Sequence, residues 1–214
     1  MNGCCAFNII YGFDGAHSVH GLSVAAMRKA LALSLAKTIK QRSGTYNYVV
    51  PIPNTGAFYS GDIAKNLNIK ELRLFRKKCD KRTLSLPSEE RKEYYIKRLV
   101  RESVKLKNSR VLLVDEALIS GLTLGILSAN LKASGVKSFS VAFVAPPVYC
   151  HCPWGLMGSK ERLGLGMNGD VDRNQYELSI KGHTGCTNVY FNTFKDFDAC
   201  LPKHHTCKLC FRPD

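Results

Sequence analysis

From residue 24 to residue 41 the apolar side chains Val24, Met27, Leu31, Leu35 and Ile39 recur at helical spacing, with Arg28, Lys29, Lys37 and Lys40 set between them. The pattern predicts an amphipathic helix capped by Ser23 and ended at Gly44. Tyr46 to Val50 is rich in β-branched and aromatic residues and runs into Pro51-Ile-Pro-Asn-Thr-Gly56, which reads as a buried strand delivering a loop. Phe58 to Leu67 predicts a second helix, Glu71 to Phe75 a short strand, and Arg76 to Arg82 a mobile polar loop. Pro87-Ser-Glu-Glu90 predicts a further helix start, because acids beside exposed N–H groups are favoured by the helix dipole, and that helix is expected to reach about Lys105. Val111 to Val114 is a continuous apolar strand, Leu122 to Ala133 an apolar helix closed by Gly135, and Ser138 to Val144 another strand. Alternating strands and helices predict an α/β fold with an open, mainly parallel sheet covered by helices on both faces. After Pro146 the glycines and cysteines multiply and the periodicity predicts no element.

Composition narrows this picture. A chain of 214 residues, 45% hydrophobic and 22% charged, is long and apolar enough to close one core. Met1-Asn-Gly-Cys-Cys5 lacks the charged and apolar regions of a secretory signal, and no apolar run is long enough to span a bilayer, so a cytoplasmic protein without a membrane partner is expected. The formal charge of +14 suits either a polyphosphorylated small substrate or a nucleic acid backbone, and charge alone does not choose between them. Nine cysteines, an odd number, exclude complete pairing within the chain and point in a reducing compartment to packing residues, nucleophiles or metal ligands.

The segment from Val111 to Thr123 carries the most chemistry: an apolar strand, the acids Asp115 and Glu116, a short loop with Gly121, then a helix. A helix start behind a tight turn aims unpaired N–H groups at an anion, so Ala117, Leu118, Ile119, Ser120, Gly121, Leu122 and Thr123 are expected to hold a phosphate, with the Thr123 hydroxyl adding a donor. Asp115 and Glu116, at the carboxyl end of the strand, can accept from sugar hydroxyls.

This pattern resembles the phosphoribosyl pyrophosphate (PRPP) signature of type I phosphoribosyltransferases. The resemblance extends to one family, glutamine PRPP amidotransferase. Cys5-Ala-Phe7 with Tyr11, then Gly21-Leu-Ser-Val24, is similar to the segment joining that family's glutaminase and synthase domains; Val49-Val-Pro-Ile-Pro-Asn-Thr-Gly56 to its pyrophosphate loop; Arg82-Thr83 with Pro87 to its flexible loop; and Ala145-Pro-Pro-Val148 with Cys152 and Gly155 to the stretch after its last core strand. The resemblance implies a phosphoribosyltransferase core over residues 1–165 and a cysteine-rich C-terminal extension over 166–214. It implies displacement of pyrophosphate at ribose C1 by ammonia or another nitrogen nucleophile, with Mg²⁺ on the diphosphate. By position, Pro53, Asn54, Thr55 and Gly56 would offer N–H groups to the pyrophosphate, while Lys78, Arg82 and Arg98 would neutralise its charge.

The glutaminase half of the family has no counterpart in these 214 residues, so ammonia from a separate protein is expected, as is a homo-oligomer. Against the family pattern, Glu116 stands where an aspartate is usual, and Ser120 and Leu122 stand for an arginine and a threonine. Those changes keep open an alternative, a non-catalytic PRPP-binding regulator meeting nucleic acid through its basic surface; no appended DNA-reading helix pair is visible, which makes nucleic acid the less expected partner. Cys207-Lys-Leu-Cys210 alone could mean zinc, redox chemistry or nothing. One branch of the resembled family holds a four-iron, four-sulfur cluster, and Cys5, Cys152, Cys207 and Cys210 match its ligand places in order; zinc, with His151, His204 or His205, is the alternative.

Overall fold

The computed structural model describes residues 4–77, 99–101, 106–152, 172–203 and 206–212. In chain order these form β1 (Cys4–Cys5), a π-helical turn (Asn8–Gly12), β2 (Ser18–Val19), β3 (Leu22–Ser23), α1 (Val24–Gln41), β4 (Tyr48–Pro51), α2 (Ala57–Leu67), β5 (Lys70–Glu71), β6 (Phe75–Lys77) and β7 (Leu99–Arg101). There follow β8 (Arg110–Asp115), α3 (Leu122–Ala133), β9 (Ser138–Phe143), α4 (Arg173–Thr184), β10 (Val189–Phe191), α5 (Phe194–Ala199), β11 (Thr206–Cys207) and a 3-10 turn (Leu209–Phe211).

Five parallel strands make the main sheet in the order β10-β9-β8-β4-β5. Its centre shows why the strand Val111 to Val114 is apolar throughout. Val111 and Leu113 pack with Leu124, Leu127 and Leu131 of α3 and Ile180 of α4, while Leu112 and Val114 pack with Leu31 and Leu35 of α1 and Tyr59 and Ile63 of α2. Successive side chains point to opposite faces, so a sheet covered on both sides needs apolar residues at every position. The Ser23 hydroxyl accepts from Ala26 N at the start of α1, as its N-cap pattern predicts.

Three expectations differ from what is observed. The stretch Glu71 to Phe75 is not one strand: Lys70–Glu71 pairs with β4 at the sheet edge, whereas Phe75–Lys77 pairs antiparallel with Leu99–Arg101 in a separate ribbon. The chain turns out of the sheet between them, where Leu72 N donates to Val49 O and Leu74 N to Leu72 O. Arg76 and Lys77 therefore belong to a strand rather than to the expected loop, and residues 99–101, expected at the end of the Pro87 helix, are strand. Pairing decides such short segments over local helix propensity; the rest of that predicted helix, with Gly155, His204 and His205, lies outside the described residues.

Beyond Pro146, where the periodicity predicts nothing, the structure has α4, β10 and α5. The residues after 166 supply β10, an edge strand of the main sheet, so the expected division at 165 runs across that sheet. Arg42 after α1 fastens this segment, with Nη2 3.2 Å from Glu177 Oε2 and Nη1 donating to Val189 O at 2.8 Å. Asn192 Nδ2 donates to Val144 O and to Leu31 O. The short parallel pair of β1 with β11 brings the two ends of the described chain together, setting Cys5 opposite Cys207. No helix among the described residues is long and apolar enough to cross a membrane.

Candidate active site

From β4 the chain crosses by α2 to β5 on one side; from β8 it crosses by α3 to β9 on the other. The two connections diverge, so a crevice opens at the carboxyl ends of β4 and β8, which is where open α/β sheets bind ligands. The loops after the two strands meet there, joined by Ile52 N donating to Val114 O at 2.8 Å. A pocket fills this crevice, lined by Ile52, Pro53 and Thr55 from the first loop, by every residue from Asp115 to Leu124 in the second, and by Phe7, Tyr11 and Phe143.

The second loop presents its backbone N–H groups to the pocket. Gly121 stands at the N-cap of α3 with φ of +74°, a left-handed conformation that a side chain disfavours, and no side chain caps the helix. None of the N–H groups from Ala117 to Thr123 has an acceptor among the described residues. An uncapped helix start behind such a run of free donors concentrates positive potential without a cationic side chain. Ala117, Leu118, Ile119, Ser120, Gly121, Leu122 and Thr123 all line the pocket.

Asp115 and Glu116 close the other side. The Asp115 carboxylate accepts from Glu116 N at 3.0 Å, and the carbonyls of both residues accept from Val144 N and Ala145 N, which fixes the backbone on β9's continuation. Glu116 Oε2 is buried with no donor among the described residues. Buried polar atoms are nearly always partnered, which sets this oxygen apart from the other acceptors of the pocket. Tyr59 lies behind the pair: burial raises its pKa, the nearby Arg28 guanidinium opposes that, and the Glu116 and Asp115 carboxylates add to it, so the phenol stays protonated.

The first loop differs from its expected role at two positions. Gly56 N–H donates to Ile52 O at 3.0 Å inside the loop, and Pro53 has no N–H, so Asn54 and Thr55 are the residues of that loop with N–H groups lacking an acceptor among the described residues. Asn54 and Gly56 do not line the pocket. What Gly56 contributes is close approach: a Cβ there would lie 2.3 Å from Val114 O. Lys78, Arg82 and Arg98 lie outside the described residues. Phe7 and Tyr11, legible in the sequence only as marks of resemblance, form an aromatic wall with ring centroids 5.4 Å apart, and nothing in the local pattern signals that they reach the pocket.

The cysteines at the far end gather without forming a closed site. Cys210 has its pKa pushed up to about 12, first by burial and then by the thiols of Cys5, Cys150, Cys152 and Cys207. Burial also raises Cys5, against donation from the backbone N–H groups of Asn8 and Phe7, with Cys207 and Cys152 raising it further. The four expected ligands influence one another's charge, yet among the described residues no group of three or more His, Cys, Asp or Glu stands close enough to hold a metal ion. His151 is exposed.

Sheet, switch point and amide loop define the type I phosphoribosyltransferase fold. Within that class the chain is similar along its length to amidophosphoribosyltransferases. It is 24% identical to that of Methanocaldococcus jannaschii over 210 residues, covering 96% of this chain and 42% of that protein. Identity to the Lachancea kluyveri amidophosphoribosyltransferase is 23% over 198 residues, 91% of this chain and 38% of the other. Glutamine PRPP amidotransferase from Bacillus subtilis, solved with ADP and GMP, superposes with a TM-score of 0.77 at 20% identity, covering all of this chain and 47% of that one. A solved structure described as the allosteric regulatory enzyme of purine biosynthesis superposes equally, at 0.77 and 19% identity, over 46% of its chain. The chain therefore spans less than half the length of these relatives, and no family model matches it.

Proposed function

We propose that this chain is a phosphoribosyltransferase that binds PRPP in the crevice between β4 and β8 and displaces its pyrophosphate with ammonia or another small nitrogen nucleophile. The run of acceptor-free N–H groups from Ala117 to Thr123 carries this reading, since it suits a phosphate. With the 5′-phosphate there, the Asp115 and Glu116 carboxylates stand where ribose hydroxyls need acceptors, and their hard oxygens suit Mg²⁺. Thr55, which lines the pocket, and the acceptor-free N–H of Asn54 beside it are assigned to the leaving diphosphate, and Lys78, Arg82 and Arg98 to its charge. Magnesium, when bound, lowers the charge that the departing pyrophosphate must carry. The protein holds the ribose so that C1 meets the nucleophile, and no covalent enzyme intermediate is required.

The test is phosphorus NMR of purified protein with PRPP, Mg²⁺ and ammonium or a panel of small amines. Pyrophosphate release above the protein-free rate supports the reading. Tight binding of PRPP without release for any acceptor would favour the regulator, and a DNA complex reversed by PRPP would establish it. No binding at all would end both.

For the thiols we propose a structural iron-sulfur cluster on Cys5, Cys152, Cys207 and Cys210. Supporting it, β1 and β11 set Cys5 opposite Cys207, and the Cys5 and Cys210 thiols are each influenced by the other cysteines; binding would have to draw the four sulfurs closer than they stand. Burial raises the pKa of Cys5 and Cys210, and because both must lose their protons to ligate, loading should rise with pH. Anaerobically purified protein is expected to be brown, and Cys207→Ser or Cys210→Ser to be colourless with a lower Tm. Colourless wild-type protein carrying one zinc would replace iron by zinc.

A further inference from the structure

The pocket's aromatic wall comes from a short π-helical segment held by side chains from two helices. The π-helical turn Asn8–Gly12 ends on a wide hydrogen bond, Phe13 N to Asn8 O at 2.8 Å. Such turns are uncommon and weakly supported, and their carbonyls need partners from elsewhere. Two of them, and that of Phe13 just after the turn, are met by side chains of the two helices beneath. Arg28 of α1 donates from Nε to Ile9 O at 2.8 Å and from Nη2 to Phe13 O at 2.7 Å. Tyr59 of α2 donates its hydroxyl to Ile10 O at 2.7 Å.

Arg28 is only 3% exposed, and among the described residues no carboxylate forms an ion pair with it. A buried guanidinium compensated by carbonyls and by the Phe58 ring, whose centroid is 4.4 Å away, is a costly way to fill space. What it does that an apolar residue would not is span two carbonyls four residues apart with one rigid fork. The turn so fixed leads from Phe7 to Tyr11, and both rings line the crevice opposite the Asp115–Thr123 loop.

We infer that Arg28 and Tyr59 are positioning residues of the PRPP site: they clamp the turn Asn8–Gly12 so that Phe7 and Tyr11 wall the pocket. Neither Arg28 nor Tyr59 lines the pocket itself. The inference rests on the reading of the crevice as a PRPP site, and it deepens that reading by giving the pocket a wall set from two helices away.

The test is a double-mutant cycle in ligand affinity. Magnesium PRPP is titrated calorimetrically into wild type, Arg28→Lys, Tyr59→Phe, Tyr11→Ala and the double variant Arg28→Lys/Tyr11→Ala. Arg28→Lys keeps the charge but loses the fork, and is expected to weaken binding about tenfold. Tyr59→Phe removes one hydroxyl and almost no volume, so it folds even if Arg28→Lys does not, and it should shift affinity in the same direction. In the Tyr11→Ala background, Arg28→Lys should cost less than twofold more, because both act through one wall. Magnesium pyrophosphate, which needs the Asn54 and Thr55 side of the site, should bind all variants alike.

Fully multiplicative losses, or equal losses for pyrophosphate, would overturn the clamp and leave Arg28 a general structural residue. Should wild type bind no PRPP, the functional reading fails, and hydrogen exchange still decides the clamp. Amides 9–13 must exchange faster in Tyr59→Phe and Arg28→Lys while 111–115 do not; unchanged exchange at 9–13 refutes it.

Discussion

Replacing Glu116 with Gln is expected to weaken magnesium PRPP about 10- to 100-fold while leaving the unliganded protein as stable as wild type or more so. The two directions share one cause. Glu116 Oε2 is buried with no donor among the described residues, so the free protein bears an uncompensated carboxylate that an amide relieves. When ligand is bound, the same oxygen accepts a ribose hydroxyl or meets magnesium, and a charged hydrogen bond of about 1.5–3 kcal/mol is worth that range in affinity. Asp115→Asn should lose affinity similarly without gaining stability, because its carboxylate already has the Glu116 N–H. Calorimetric titration and scanning calorimetry read the two quantities separately. Undiminished affinity in Glu116→Gln would remove the acid pair from the site; lost affinity with lost stability would make it a structural group.

Gly56→Ala should be among the most damaging small substitutions in the chain. Its backbone, at φ −54°, suits alanine, so the cost is purely steric. The added Cβ would lie 2.3 Å from Val114 O, 2.7 Å from Ile52 O and 2.8 Å from Ile52 N, all main-chain atoms. Relief requires opening Ile52 N to Val114 O, the bond that joins the two loops of the site. A loss of more than about 3 kcal/mol is expected, together with loss of pyrophosphate binding. Gly61→Ala, in the same helix, is the control: only the Glu71 carboxylate lies near its Cβ position, at 3.8 Å, and removing a helix glycine should stabilise by about 0.5–1 kcal/mol. Chemical denaturation of both variants checks the pair. A Gly56→Ala protein as stable as wild type would mean that the loops are not held as tightly as this packing requires.

The central strand, the helices α1 and α3 and the amide loop were legible because each rests on information local in the chain. Val111 to Val114 is apolar because both faces are covered, Ser23 announces its helix, and Gly121 marks a left-handed turn before an uncapped one. By contrast, β10 was not legible. Three residues among glycines and cysteines carry no periodicity, and Val189–Phe191 is a strand because the edge of β9 is there to pair with it.

The sequence alone determined the α/β class and the order of strand, acid pair, glycine turn and helix from Val111 to Ala133, since periodicity and turn chemistry act over a few neighbouring residues. Tertiary structure alone decided that the loops after β4 and β8 face each other, that Gly56 packs where it was expected to donate, and that Phe7 and Tyr11 reach the pocket. Arg28 reaches the carbonyls of Ile9 and Phe13 only because α1 carries it beneath the turn. Contacts between residues far apart in the chain depend on which surfaces the sheet brings together, and no local pattern encodes that.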